Sequence, residues 1–117
     1  MIKSEINKLD KIWSLAVKKL AKNKCQKCGA RSPLNSAHIF SRTYQSTRWS
    51  LQNGVCLCVG CHFWGHKDPI NFAAFCIKLK GQKTIDELNI LRQKKVKLFY
   101  DEVKESLEKK QNTKNNA

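Results

Sequence analysis

Cys58-Val59-Gly60-Cys61-His62-Phe63-Trp64-Gly65-His66 decides how the chain is read. The stretch opens on a C-x2-C spacing. Twenty-nine residues separate it from an earlier pair with the same spacing, Cys25-Gln26-Lys27-Cys28-Gly29. A two-residue spacer lets both sulfurs of a pair reach one ion. Two such pairs predict a single tetrahedral Zn(Cys)4 site. The expected ligands of this structural Zn2+ are Cys25, Cys28, Cys58 and Cys61. Four thiolates leave no open coordination position, so the ion's role is structural: it ties the chain before a first strand to the start of a central helix. Cys76 has apolar neighbours and reads as core. Cys56, two residues before Cys58 on the same strand face, is an alternative ligand.

The second half of the quoted stretch adds two imidazoles. His62 and His66 stand at i and i+4, so they project from one helical face and can grip one divalent ion. Residues 11–67, between Asp10 and Asp68, contain no carboxylate, which disfavours a Mg2+ site built from Asp and Glu. Imidazoles suit Zn2+, Ni2+, Co2+ or Mn2+, with water and phosphate oxygens in the open positions. Working outward, Val59 to Lys67 is expected to be a short helix. Val55 to Cys58 and Ser36 to Phe40 read as two strands of a hairpin, joined by a polar loop that ends in Asn53-Gly54.

Flanking segments are helical in pattern. Ile2, Ile6, Leu9, Trp13, Ala16 and Leu20 recur at steps of three and four, an amphipathic helix with lysines on its other face. Asp68-Pro69 opens a helix that closes at Gly81. Thr84-Ile85-Asp86-Glu87 reads as a capping box. One long helix is expected from there, with Ile85, Leu88, Leu91, Phe99, Val103 and Leu107 on its apolar side. The polar tail, 111–117, is expected to be disordered. The expected fold class is α+β: a single domain over 1–110, with a zinc-stapled ββα centre at about 25–68 between an N-terminal helix and two C-terminal helices.

The chain has 117 residues, with 23 Lys and Arg against 9 Asp and Glu, a net charge of +14. No run of about 18 apolar residues exists, which excludes a membrane span. The N-terminus lacks the apolar core of a signal peptide, so a cytoplasmic setting is expected and metal ligation takes precedence over disulfides. Between Asp10 and Asp68 lie ten basic residues and no acidic one. So one-sided a stretch repels itself unless a polyanion neutralises it, and nucleic acid is the expected partner. Arg42, Arg48 and Lys67, close in sequence to the histidines, are the expected phosphate contacts. Trp49, Phe63 and Trp64 are expected to pack the small centre against the helices.

Ala37-His38, then Asn53, then Cys58-x2-Cys61-His62 with His66, resembles an HNH endonuclease of the ββα-metal (His-Me finger) superfamily. The spacings of 15, 9 and 4 between His38, Asn53, His62 and His66 are similar to those of the nuclease colicins. The C-x2-C pairs resemble those of zinc-stapled HNH proteins of phages. So do His38-Ile39-Phe40-Ser41-Arg42, Thr47-Arg48-Trp49, Asn53-Gly54-Val55 and Cys61-His62-Phe63-Trp64-Gly65-His66-Lys67. The resemblance covers residues 25–69 and implies metal-dependent hydrolysis of DNA phosphodiester bonds. By that analogy His38 is the general base, and Asn53 holds the long loop that orients it. A divalent ion (Mn2+, Ni2+, Mg2+ or Zn2+) sits on His62 and His66. One position departs from the pattern: the residue before the base is usually a metal-ligating Asp or His, and here it is Ala37. Two other readings therefore stand beside the first: a non-catalytic zinc-stapled DNA-binding module, and a structure-selective recombination nuclease acting on branched DNA.

Overall fold

The structure is a computed structural model that describes residues 1–110 in full and the backbone of 111–116. The disordered tail expected over 111–117 lies outside the fully described residues. In chain order the elements are α1 (Lys3–Leu20), β1 (Leu34–His38), the short α2 (Gln45–Arg48), a 3-10 turn (Leu51–Asn53), β2 (Gly54–Cys58), α3 (Val59–Lys67), α4 (Pro69–Lys80), α5 (Gln82–Arg92) and α6 (Tyr100–Asn116). The result is an α+β fold with six α-helices and a two-stranded antiparallel sheet among the described residues. No helix among them is long and apolar enough to cross a membrane.

The sheet is the divider of the core. β1 and β2 pair in the register Leu34↔Cys58 through His38↔Gly54. Alternation then sends successive β2 side chains to opposite faces. Cys56 joins Leu9, Trp13, Val17, Trp49 and Leu107 on one side. Val55 and Leu57 join Cys25, Ala37 and Cys76 on the other. β2 is thus apolar throughout because it is covered on both faces. Cys76 is core, as its neighbours suggested, and so is Cys56, which removes it as an alternative ligand.

α1 approaches the sheet closely at Gly54. A Cβ there would strike the Val17 methyls and lie 2.9 Å from Trp13 Cζ2, so only glycine lets the helix seat.

Three sequence expectations change. β1 begins and ends two residues earlier than Ser36–Phe40, because the Phe40 N–H is taken by the Asn53 side chain instead of a strand partner. α5 starts at Gln82, straight after Gly81 at φ 90°, so Thr84 to Glu87 lie inside the helix and cap nothing. The long C-terminal helix is broken: α5 ends at Arg92 and α6 starts at Tyr100. Its apolar stripe lapses between Leu91 and Leu98, where Lys94 and Lys95 occupy the register. The two halves also bury against different partners. α6 and the segment before it supply Leu98, Tyr100, Val103 and Leu107 to the α1 cluster, whereas Ile85 of α5 packs with the other cluster.

Candidate functional site: a histidine cleft beside a four-cysteine cluster

The sulfurs of Cys25, Cys28, Cys58 and Cys61 all lie within 4.8 Å of one another. Cys28 and Cys58 Sγ are 3.6 Å apart, close to the roughly 3.8 Å that a tetrahedral ion with 2.3 Å Zn–S bonds demands. Each pair forms a knuckle in which the second cysteine's N–H donates to the first one's sulfur, Cys28 N to Cys25 Sγ and Cys61 N to Cys58 Sγ, both at 3.4 Å. The thiols divide sharply. Burial raises the Cys25 pKa, but backbone N–H groups of Cys28, Cys58 and Lys27 outweigh it and bring the thiol down to about 6. Burial and the neighbouring sulfurs push Cys61 up to about 12. Four sulfurs at this spacing cannot all ionise without a cation between them, and the cluster fits a structural metal such as zinc.

A cleft of about 660 Å3 lies along β1 between α1 and α3. His38, His62, His66, Ala37 and Arg42 line it, together with Asp10 and Trp13 of α1. His38 stands at the end of β1. Its Nε2 lies 3.0 Å from the Arg48 carbonyl oxygen, which only accepts, so Nε2 carries the proton and Nδ1 keeps its lone pair. Its ring stacks on Trp13, centroids 4.0 Å apart at 10°. Burial lowers its pKa below the ordinary 6.5, partly opposed by the Arg48 carbonyl and the Asp10 charge.

His62 and His66 face each other across one turn of α3, with Nε2 atoms 3.2 Å apart. Two nitrogens bound to one tetrahedral ion at about 2.0–2.1 Å stand roughly 3.3 Å apart. Burial and the neighbouring His66 both lower the His62 pKa, which favours the neutral ring, the form able to bind a cation. The Asn35 amide sits 3.2 Å from His62 Nδ1. Its nitrogen Nδ2 is the atom that faces the ring and donates to Nδ1, which puts the His62 proton on Nε2; only with the amide reversed, its oxygen accepting from Nδ1–H, is Nε2 free for an ion. Asn35 had no sequence signal; its partner is 27 residues away.

Asn53 is fully buried and takes no part in the cleft lining. Its Oδ1 accepts from Phe40 N at 2.8 Å. Its Nδ2 donates to Phe40 O at 2.9 Å and to Thr47 O at 3.2 Å. One amide thus closes the 39–52 loop. The three cations expected on phosphate separate. Arg42 is exposed on the cleft. Arg48 is committed to Asp10 in a two-pronged ion pair at 3.0 and 2.7 Å. Lys67 lies over the Phe63 ring, outside the cleft. Trp49 is buried, and Trp64 meets Phe72 and Phe75 edge-on, so both pack as expected. Phe63, 60% exposed, does not. No protein-family model, curated protein or solved structure matches the chain.

Proposed function

We propose that the chain is a metal-dependent endonuclease of the HNH type, built on a ββα-metal core, that hydrolyses DNA phosphodiester bonds. The observation that supports it most is the shared cleft. Two imidazoles stand at ion-binding separation there, and a third carries a free lone pair. Beside them Arg42 brings a cation to a face of a strongly basic chain.

Duplex DNA enters with a phosphate against Arg42 and the α3 imidazoles. His62 and His66 would hold the divalent ion through Nε2, and when bound it supplies Lewis-acid stabilisation of the developing charge and the leaving 3′ oxygen. His38 Nδ1 takes the proton from the attacking water, and the Arg48 carbonyl holds the ring's other N–H and steadies the imidazolium that results. Asn53 keeps the loop that carries Arg48 closed. The products are a 5′-phosphate and a 3′-hydroxyl.

Supercoiled plasmid with Mn2+, Ni2+ or Mg2+ tests this. Relaxed or linear product is expected, lost in His38→Ala. Cutting that persists in His38→Ala, or no cutting with any of the three ions, overturns it. A second reading has its own observation: Ala37 is 3% exposed, lines the cleft and offers no ligand atom. A non-catalytic DNA-binding module fits that gap. Binding without cutting, with cutting restored by Ala37→Asp or Ala37→His, is the result that favours the module.

A further inference from the structure

We infer that Asp10, on a helix outside the Cys/His-rich centre, is a positioning residue for His38. It clamps Arg48 and Trp49 so that the Arg48 carbonyl selects the His38 tautomer. The functional meaning rests on the endonuclease reading; the geometry does not.

Asp10 and Glu5 are the sole carboxylates before Asp68. Asp10 spends both oxygens on one short segment. Oδ1 accepts from Arg48 Nε at 3.0 Å and from Trp49 Nε1 at 2.9 Å, and Oδ2 accepts from Arg48 Nη2 at 2.7 Å. Burial raises the Asp10 pKa, but the Arg48 and Trp49 hydrogen bonds and the Arg48 charge outweigh it, so the carboxylate stays ionised. The clamped residue is the one whose carbonyl meets His38 Nε2. Arg48 ends α2, where helix carbonyls lack an intrahelical partner, so this oxygen is available to the imidazole. Three residues further along α1, Trp13 stacks on the His38 ring and donates Nε1–H to Ser50 O at 2.8 Å. α1 therefore grips residues 48–50 at two points with His38 between them. The charges that act on His38 are Asp10 from α1, Arg48 from α2 and Arg42 from the loop.

A free imidazole in water exchanges between its two neutral tautomers. Catalysis through Nδ1 needs the Nε2–H form held in place. Without the Asp10 carboxylate, Arg48 and Trp49 lose their anchor, and the carbonyl drifts from the ring.

The test is 15N NMR of the histidine rings in the full chain loaded with zinc, for wild type, Asp10→Asn and Asp10→Ala. Asp10→Asn keeps the shape and one acceptor, and serves if Asp10→Ala fails to fold. Wild-type His38 is expected as Nε2–H. Both variants are expected to show mixed tautomers at His38 with His62 and His66 unmoved. In Asp10→Asn the His38 pKa falls further, because the Asp10 charge had raised it. Plasmid nicking is expected to lose about ten- to a hundredfold in kcat at unchanged KM. An unchanged His38 tautomer in a folded variant overturns the inference, even if that variant melts earlier. A tautomer shift in a chain whose wild type never nicks DNA upholds the positioning role and removes the endonuclease reading.

Discussion

His38 shows how a single side chain inherits its chemistry from contacts that its own neighbourhood in sequence does not reveal. The Trp13 face and the Arg48 carbonyl come from opposite sides of it in sequence, 25 residues before and 10 after. Together they leave one nitrogen, Nδ1, with a free lone pair. Burial, the largest influence, favours the uncharged ring and sets its pKa below 6.5. A general base works only when neutral, so under saturating metal kcat/KM is expected to rise with pH, with its half-maximal point below pH 6.5, and then level off. A profile of plasmid nicking between pH 5 and 8.5 reads this. A rate still climbing tenfold per unit above pH 7 contradicts a burial-lowered base. The residues that present this chemistry differ in how visible they were. His38, His62 and His66 carry unusual side chains at telling intervals. Asp10, Trp13 and Asn35 carry ordinary ones, and their partners lie 38, 25 and 27 residues away, where local spacing holds no trace.

At the scale of elements, legibility followed burial pattern. α1 and α3 were readable from periodicity and from the C-x2-C start, and β2 from its apolar run. The β1 boundary was not, since Ile39 and Phe40 are as apolar as a strand requires. Asn53 decides it by taking the Phe40 backbone for the loop. The broken C-terminal helix has a tertiary origin too, because residues 93–99 have adequate helix propensity and the packing of Leu98, Tyr100, Val103 and Leu107 against α1 overrides it. Gly54 lies where three elements meet: it ends the loop, starts β2 and admits α1. Gly54→Ala inserts a methyl against Val17 and Trp13, two buried side chains with nowhere to retreat. Overpacking of this kind costs about 1–3 kcal/mol. Because α1 carries Asp10 and Trp13, the same change is expected to loosen His38 as well. Urea titration measures the first effect and the His38 tautomer the second. Gly60→Ala, whose added Cβ meets nothing within 4 Å, is the control expected to leave the His38 tautomer unmoved.

Across the whole molecule the excess of positive charge has a geography. The helix break turns residues 93–99 into an exposed segment carrying Lys94, Lys95 and Lys97, with no carboxylate between Glu87 and Asp101. The structure ties the end of α5, just before this segment, to the loop that carries Arg42. Arg92 lies over both Phe40 and Tyr44, at 5.1 and 4.9 Å, and Ser46 Oγ donates to Leu91 O at 2.6 Å. Arg42, on the cleft, stands between those two aromatic residues in the loop. On the endonuclease reading, a duplex whose phosphate meets Arg42 is expected to run its continuing backbone towards the lysine segment that follows α5. Each phosphate neutralised releases condensed counterions and adds about 0.9 to the slope of log K against log salt. Replacing Lys94, Lys95 and Lys97 together by Gln is expected to lower that slope by about 3, while His62–His66 metal affinity and the melting temperature hold. Fluorescence anisotropy on a short duplex between 50 and 300 mM salt measures it. A slope that does not move, although three charges are gone from a chain of net +14, means that the DNA runs along another face and that the basic loop and linker serve solubility alone.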